Sequence, residues 1–158
     1  MAEIARRTTT NGNRVMFLIH RKEVLQQAVK TFNNQDVNPD LLTAGMVQTL
    51  TRRVDKLPTP DVILVDEAHH ALAKSYQNIL NRFPKAIVLL FTATPHRTGR
   101  VQLDQIADDI IVGQSIHELT EKGFLAPFRY FQPPGDFDSK LLKRGSTGDF
   151  TNDSMQQA

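Results

Sequence analysis

The stretch Asp61-Val62-Ile63-Leu64-Val65-Asp66-Glu67-Ala68-His69-His70 constrains this chain more than any other. Four consecutive apolar residues, mostly β-branched, run straight into two carboxylates and then two histidines. An unbroken apolar run bounded by polar residues fits a strand buried on both faces, as in a parallel sheet. Carboxylates at the end of such a strand lie on the carboxyl edge of the sheet, where open α/β folds hold their ligands. A magnesium ion and a phosphate are natural occupants of that edge.

Two further runs behave alike. Val15 to Ile19 ends in His20-Arg21-Lys22, and Ala86 to Phe91 ends in Thr92-Ala93-Thr94-Pro95-His96-Arg97. Helical spacing separates them: Val24, Leu25, Ala28, Val29 and Phe32 within 23–32, then Met46, Val47, Leu50, Val54 and Leu57 within 46–57, closed by Pro58 and Pro60. A further helix over 71–82 carries Leu72, Tyr76, Ile79 and Leu80 on one face. Residues 2–10 have helical propensity, ended by Asn11-Gly12-Asn13, and 41–44 suit a short strand. Strand alternating with helix predicts an α/β fold, a mainly parallel β-sheet with helices on both faces.

Past Gly99 the pattern predicts a helix near 102–107, a short strand at 110–112 and a last strand at 128–131. Ser115-Ile116-His117-Glu118 is a capping box, opening a helix that Gly123 closes. Pro133-Pro134-Gly135 marks a boundary, so residues 1–132 read as the folded domain and 133–158 as a linker or tail.

Composition bounds the rest. The 158 residues suit one domain with a real core, and the absence of cysteine excludes disulfides and thiolate metal sites. No apolar run reaches the roughly 18 residues of a membrane span, and no signal-peptide core follows Met1, which predicts a cytoplasmic chain without a membrane partner. Charge is uneven: residues 1–100 hold 14 Lys and Arg against 8 Asp and Glu, and residues 101–158 hold 5 against 9. A basic first part permits a phosphate-backbone partner.

In a parallel sheet the three polar clusters that end the long runs share one edge. Asp66 and Glu67 there suit nucleotide hydrolysis, one carboxylate holding magnesium through water while its neighbour aligns or deprotonates the attacking water. Thr92 and Thr94 flank a small residue on a sharp exit and can exchange hydrogen bonds with the acids or a phosphate. Taken residue by residue, two other readings stay open: a binding module without chemistry, and a metal-dependent phosphoesterase using Asp66, Glu67 and His69. Against a metal site, His69 and His70 are neighbours, and neighbours on a helix do not share a face.

The combination is more specific than its parts. Asp66-Glu67-Ala68-His69, followed by Phe91-Thr92-Ala93-Thr94-Pro95-His96-Arg97, resembles motifs II and III of the superfamily-two DEAD/DEAH-box ATP-dependent helicases of bacterial and phage type. Leu18 to Glu23 is similar to their motif Ia, and Gly45-Met46-Val47-Gln48-Thr49-Leu50 to motif Ib. The resemblance covers the first RecA-like domain, a P-loop NTPase fold, and implies ATP and Mg2+ as cofactors. It implies that Asp66 positions magnesium, Glu67 activates water, and His69 links the nucleotide state to the motor. Thr92, Ala93 and Thr94 would couple hydrolysis to movement. His20, Arg21, Gln48 and Thr49 would contact a nucleic-acid backbone, DNA rather than RNA.

One part of the pattern is missing. No Gly-x-x-x-x-Gly-Lys-Ser/Thr loop occurs in the 158 residues. In the family that loop lies just ahead of the helix beginning here at Ala2. The expectation is therefore an incomplete RecA-like domain, cut after the phosphate-binding loop and separated from a second RecA-like domain, and inactive alone. The strand that feeds the loop would lie beside residues 86–91, so its absence predicts an exposed apolar sheet edge and self-association through it.

Overall fold

A computed structural model describes residues 1–93, 103, 106–129 and 142–143. The three long apolar runs become β1 (Val15–Ile19), β3 (Val62–Val65) and β4 (Ile87–Leu90), joined by β2 (Leu42–Met46). All pair in parallel, in the order β2-β1-β3-β4. The predicted α/β fold with a parallel sheet is therefore present. In β1 all five residues are buried, because it has a strand on each side and helices on each face.

Side chains alternate across a strand, so each face collects its own core. Met16, Leu18, Ile63 and Val65 pack with α3 (Val47–Thr51) and α4 (Lys74–Arg82) through Val47, Leu50, Tyr76 and Ile79. Val15, Phe17, Ile19 and Leu64 pack on the opposite face, with α1 (Ala2–Thr10) and α2 (Lys22–Asn34) contributing Ala5 and Phe32. Phe17 and Phe32 meet edge to face at 5.2 Å.

The expected helix over 46–57 is broken. It ends as α3 at Thr51, Arg53 leaves helical geometry at φ −128°, and Val54–Lys56 forms a 3-10 turn. β-branched Thr49, Thr51 and Val54 favour that split, since they lose χ1 freedom in a helix. β2 runs two residues beyond expectation, to Met46. Gly45 permits this turn, because a Cβ there would stand 2.9 Å from the Leu50 side chain. The Thr51 hydroxyl donates to the Ser75 carbonyl at 2.8 Å and ties α3 to the start of α4.

Residues Met1–Ala107 and Asp108–Ala158 form two separate compact units. In the second, α5 (Ile116–Glu121) has the expected capping box: the Glu118 amide donates to Ser115 Oγ at 3.2 Å, and Glu118 Oε2 accepts from the Ser115 amide at 2.7 Å. The Ser115 amide and hydroxyl, both donating to it, hold the Glu118 carboxyl below its usual range. Gly123, at φ +74°, ends the helix as read. Residues 110–112 are not a strand: Ile111 is 95% exposed, and no neighbouring strand among the described residues pairs with them. Phe128 and Arg129 form no strand either, and Tyr130 and Phe131 lie outside the described residues, as does most of the tail read from 133. No helix among the described residues is long and apolar enough to cross a membrane.

Candidate functional site

The chain leaves β1 toward β2 on one side and β3 toward β4 on the other, so the connections diverge between β1 and β3. Divergence of this kind opens a crevice at the carboxyl ends of the two strands, where α/β sheets bind ligands. α2 covers one face of the sheet and α4 the other. His20 ends β1 and Asp66 ends β3, so both stand at this crevice.

The turn after β3 is held from both sides. The Asp66 amide donates to the Leu18 carbonyl at 3.1 Å, the Phe91 amide to the Val65 carbonyl at 2.9 Å, and the Ala68 amide to the Phe91 carbonyl at 2.9 Å. Between these clamps Glu67 adopts φ 51°, ψ 49°, the left-handed region that a non-glycine residue enters at a cost of about 1–2 kcal/mol. Its amide donates to Asp66 Oδ1 at 2.9 Å. Asp66 is half-buried at the strand end and Glu67 is exposed.

Ala68–His70 is a 3-10 turn, not the start of a long helix; α4 begins only at Lys74. The turn brings the His69 ring to the neighbouring strand end. His69 Nδ1 lies 3.3 Å from Thr92 Oγ1 and 3.4 Å from Glu67 Oε2. The expectation that His69 and His70 face apart is corrected: in the tight turn their rings meet, with centroids 4.2 Å apart. His70 also meets His20 at 4.5 Å.

The expected site thus divides into two groups. Asp66, Glu67, His69 and Thr92 gather at the ends of β3 and β4; Ala93 is exposed beside them, and Thr94 lies outside the described residues. His20 and Arg21 lie at the end of β1, with Arg21 Nε donating to His20 Nε2 at 3.3 Å. Gln48 and Thr49 are exposed on α3. Arg6 and Arg7, by contrast, are balanced locally: both donate to Glu3, at 2.8 and 2.6 Å, and hold its carboxyl down at about 2.

Two residues that sequence reasoning passed over border the site. His70 is one. Tyr76 is the other: it is buried, its hydroxyl has no partner among the described residues, and burial followed by the Asp66 and Glu67 charges pushes the phenol up to about 12. Helical spacing had marked Tyr76 only as part of a core face.

Among the described residues no three His, Asp or Glu side chains are arranged to hold a metal ion. Magnesium keeps most of its waters and needs only one or two carboxylates; Asp66, half-buried and with Oδ1 accepting from the Glu67 amide, is a residue that could hold it.

Comparison with known proteins agrees with this geometry. The family described as type III restriction enzyme, res subunit, matches residues 40–97, which span β2 to the end of β4. A "51.5 kDa protein" of a Lactococcus phage (isolate 7-9) is 35% identical over an alignment of 161 positions, covering all of this chain. The "Putative ATP-dependent helicase IRC3" of Saccharomyces cerevisiae is 31% identical over 140 positions and 73% of the chain. This chain carries a RecA-like domain of the superfamily-two helicase type. A type I restriction enzyme EcoAI endonuclease subunit of Escherichia coli is also similar, 33% identical over 81 positions. The RecA-like chain spans 34% of the phage protein's length, 20% of the yeast protein's and 10% of the restriction subunit's.

Proposed function

We propose that this chain is part of an ATP-dependent DNA helicase or translocase, in which hydrolysis of Mg-ATP drives movement along nucleic acid. The observation that carries the reading is His69 Nδ1, set within 3.4 Å of both Glu67 and Thr92 at the ends of adjacent strands. One imidazole thereby touches a candidate water-activating acid and the hydroxyl of the next strand. In this reading Asp66 binds the hydrated magnesium, which when present neutralises phosphate charge. Glu67 orients and deprotonates the attacking water. His69 passes the state of that site to Thr92, and Thr92 with Ala93 and Thr94 couples it to movement.

His20, Arg21, Gln48 and Thr49 contact the backbone of the nucleic acid, which gives affinity without sequence reading. In this reading residues 1–132 belong to the first RecA-like domain, and residues 133–158 lead to a second one that would supply arginine fingers. The phosphate-binding loop is assigned to residues beyond these 158, which contain no such pattern. A cytoplasmic location fits this work.

The 158 residues alone should turn over Mg-ATP no faster than buffer, because they contain no Gly-x-x-x-x-Gly-Lys-Ser/Thr loop to cradle the β- and γ-phosphates. Turnover that is lost in Glu67→Gln would overturn the expected inactivity of these residues alone, while supporting the role given to Glu67. The same chain should bind single-stranded DNA with an affinity that falls as salt rises, and Arg21→Ala should lower that salt dependence by about one phosphate's worth. The basic balance of residues 1–100 also favours a second reading, a nucleic-acid-binding module without chemistry. Its mark is DNA affinity that Mg-ATP leaves unchanged even when the loop and second domain are supplied.

The open side of β4, where Ile87 is 64% exposed, supports self-association through that edge. Sedimentation should show concentration-dependent association that Ile87→Lys weakens; a monomer at all concentrations rejects it.

A further inference from the structure

The candidate groups for nucleic-acid contact and for water activation end different strands, and His70 is what joins them. His20 continues the Met16, Leu18 side of β1 and so faces the layer of α3 and α4. The 3-10 turn carrying His70 leads into α4 on that same face. The His20 and His70 rings meet edge-on, at 4.5 Å and 69°; the His70 and His69 rings meet at 4.2 Å and 48°. His69 then reaches Glu67 and Thr92. Three imidazoles thus cross the crevice from β1 to the ends of β3 and β4.

The outer end of this row is poised to move. Arg21 Nε donates to His20 Nε2, so the ring proton sits on Nδ1, and Nδ1 is buried with no partner among the described residues. A buried N–H without an acceptor is costly, so the ring gains from any state that pairs it. Arg21 is exposed, and a phosphate drawing its guanidinium away would free Nε2 and release the ring. The His70 ring, packed edge-on against His20, loses that contact when His20 turns.

We propose that His70 is a positioning residue that sets His69, and through it Glu67 and Thr92, according to the state of the His20 ring. The link is geometric; its use by a motor rests on the function proposed above.

The test reads the His69 imidazole signals of the full 158-residue chain by nuclear magnetic resonance in a double-mutant cycle. His20→Gln should shift the His69 signals. His70→Ala should cut that response about fivefold or more, as expected when a shared partner is removed. His70→Phe, which keeps a ring in place, should restore at least half of it, and restoration separates a positioning role from general loosening of the fold. A His69 response that persists in His70→Ala, or that His70→Phe fails to restore while its backbone amide spectrum stays dispersed, overturns the link. An oligo(dT) probe should then move the His20 and His69 signals together. If the mutant cycle holds and oligo(dT) leaves His20 unmoved, the nucleic-acid reading falls while the link stands.

Discussion

β1 and β4 are built from almost the same residues and live in different surroundings. Val15-Met16-Phe17-Leu18-Ile19 is buried throughout, whereas Ile87 in Ile87-Val88-Leu89-Leu90 is mostly exposed and its neighbours are half-buried. The difference is pairing: β1 lies between β2 and β3, while β4 has β3 on one side and no strand on the other among the described residues. An apolar run records how much burial a segment can use. Whether the burial is realised depends on what stands beside it.

Substitutions can break this contrast, the largest effect first. Phe17→Ala empties a fully buried site that meets Phe32 edge to face, and should cost about 3–5 kcal/mol in urea unfolding. Ile87→Thr, made on the open edge, should change the same midpoint by less than about 0.5 kcal/mol. A comparable loss from both would mean that β4 is covered in solution.

Gly45→Ala probes the other flank, where α3 folds back on the end of β2. A methyl 2.9 Å from Leu50 should cost about 1–3 kcal/mol, and combined with Leu50→Ala the two changes should cost less than the sum of their separate costs. Full additivity of the two changes would show that β2 and Leu50 do not compete for that space.

Tyr76→Phe should modestly stabilise the chain at neutral pH, since it removes a buried hydroxyl that has no partner among the described residues. A further effect emerges in alkali. The folded phenol, raised to about 12, keeps its proton while the unfolded one loses it near 10. The native chain therefore binds more protons, and its stability falls as pH climbs from about 10 to about 12. The Phe variant should lack that part of the slope, and identical slopes would place the phenol in water.

The sheet was legible because three apolar runs of strand length left little choice, and helical spacing between them set the connections. Asp66, Glu67, His69 and Thr92 could be assembled because parallel strands share an edge, so residues that end them must be neighbours. His70 could not. Its partner His20 lies 50 positions earlier, and the meeting depends on a 3-10 turn ahead of the helix read over 71–82, which periodicity does not mark. The exposure of β4 was expected only through family resemblance. Apolar content alone describes it as buried. Tyr76 sat correctly on a core face, but the acids that raise its pKa belong to a strand end, which spacing within α4 does not reveal.

The left-handed backbone at Glu67 sets folding against chemistry at a single residue. Glycine there would relieve the twist that the Phe91 and Ala68 clamps impose, and with the carboxylate gone the sheet edge would sit more comfortably. Asp36, held at φ 55° away from the crevice, carries the same backbone burden with no chemistry attached. Selection for stability alone would treat the two positions alike. A preference for glycine at 36 combined with intolerance of it at 67 would therefore measure how much robustness the acid is worth.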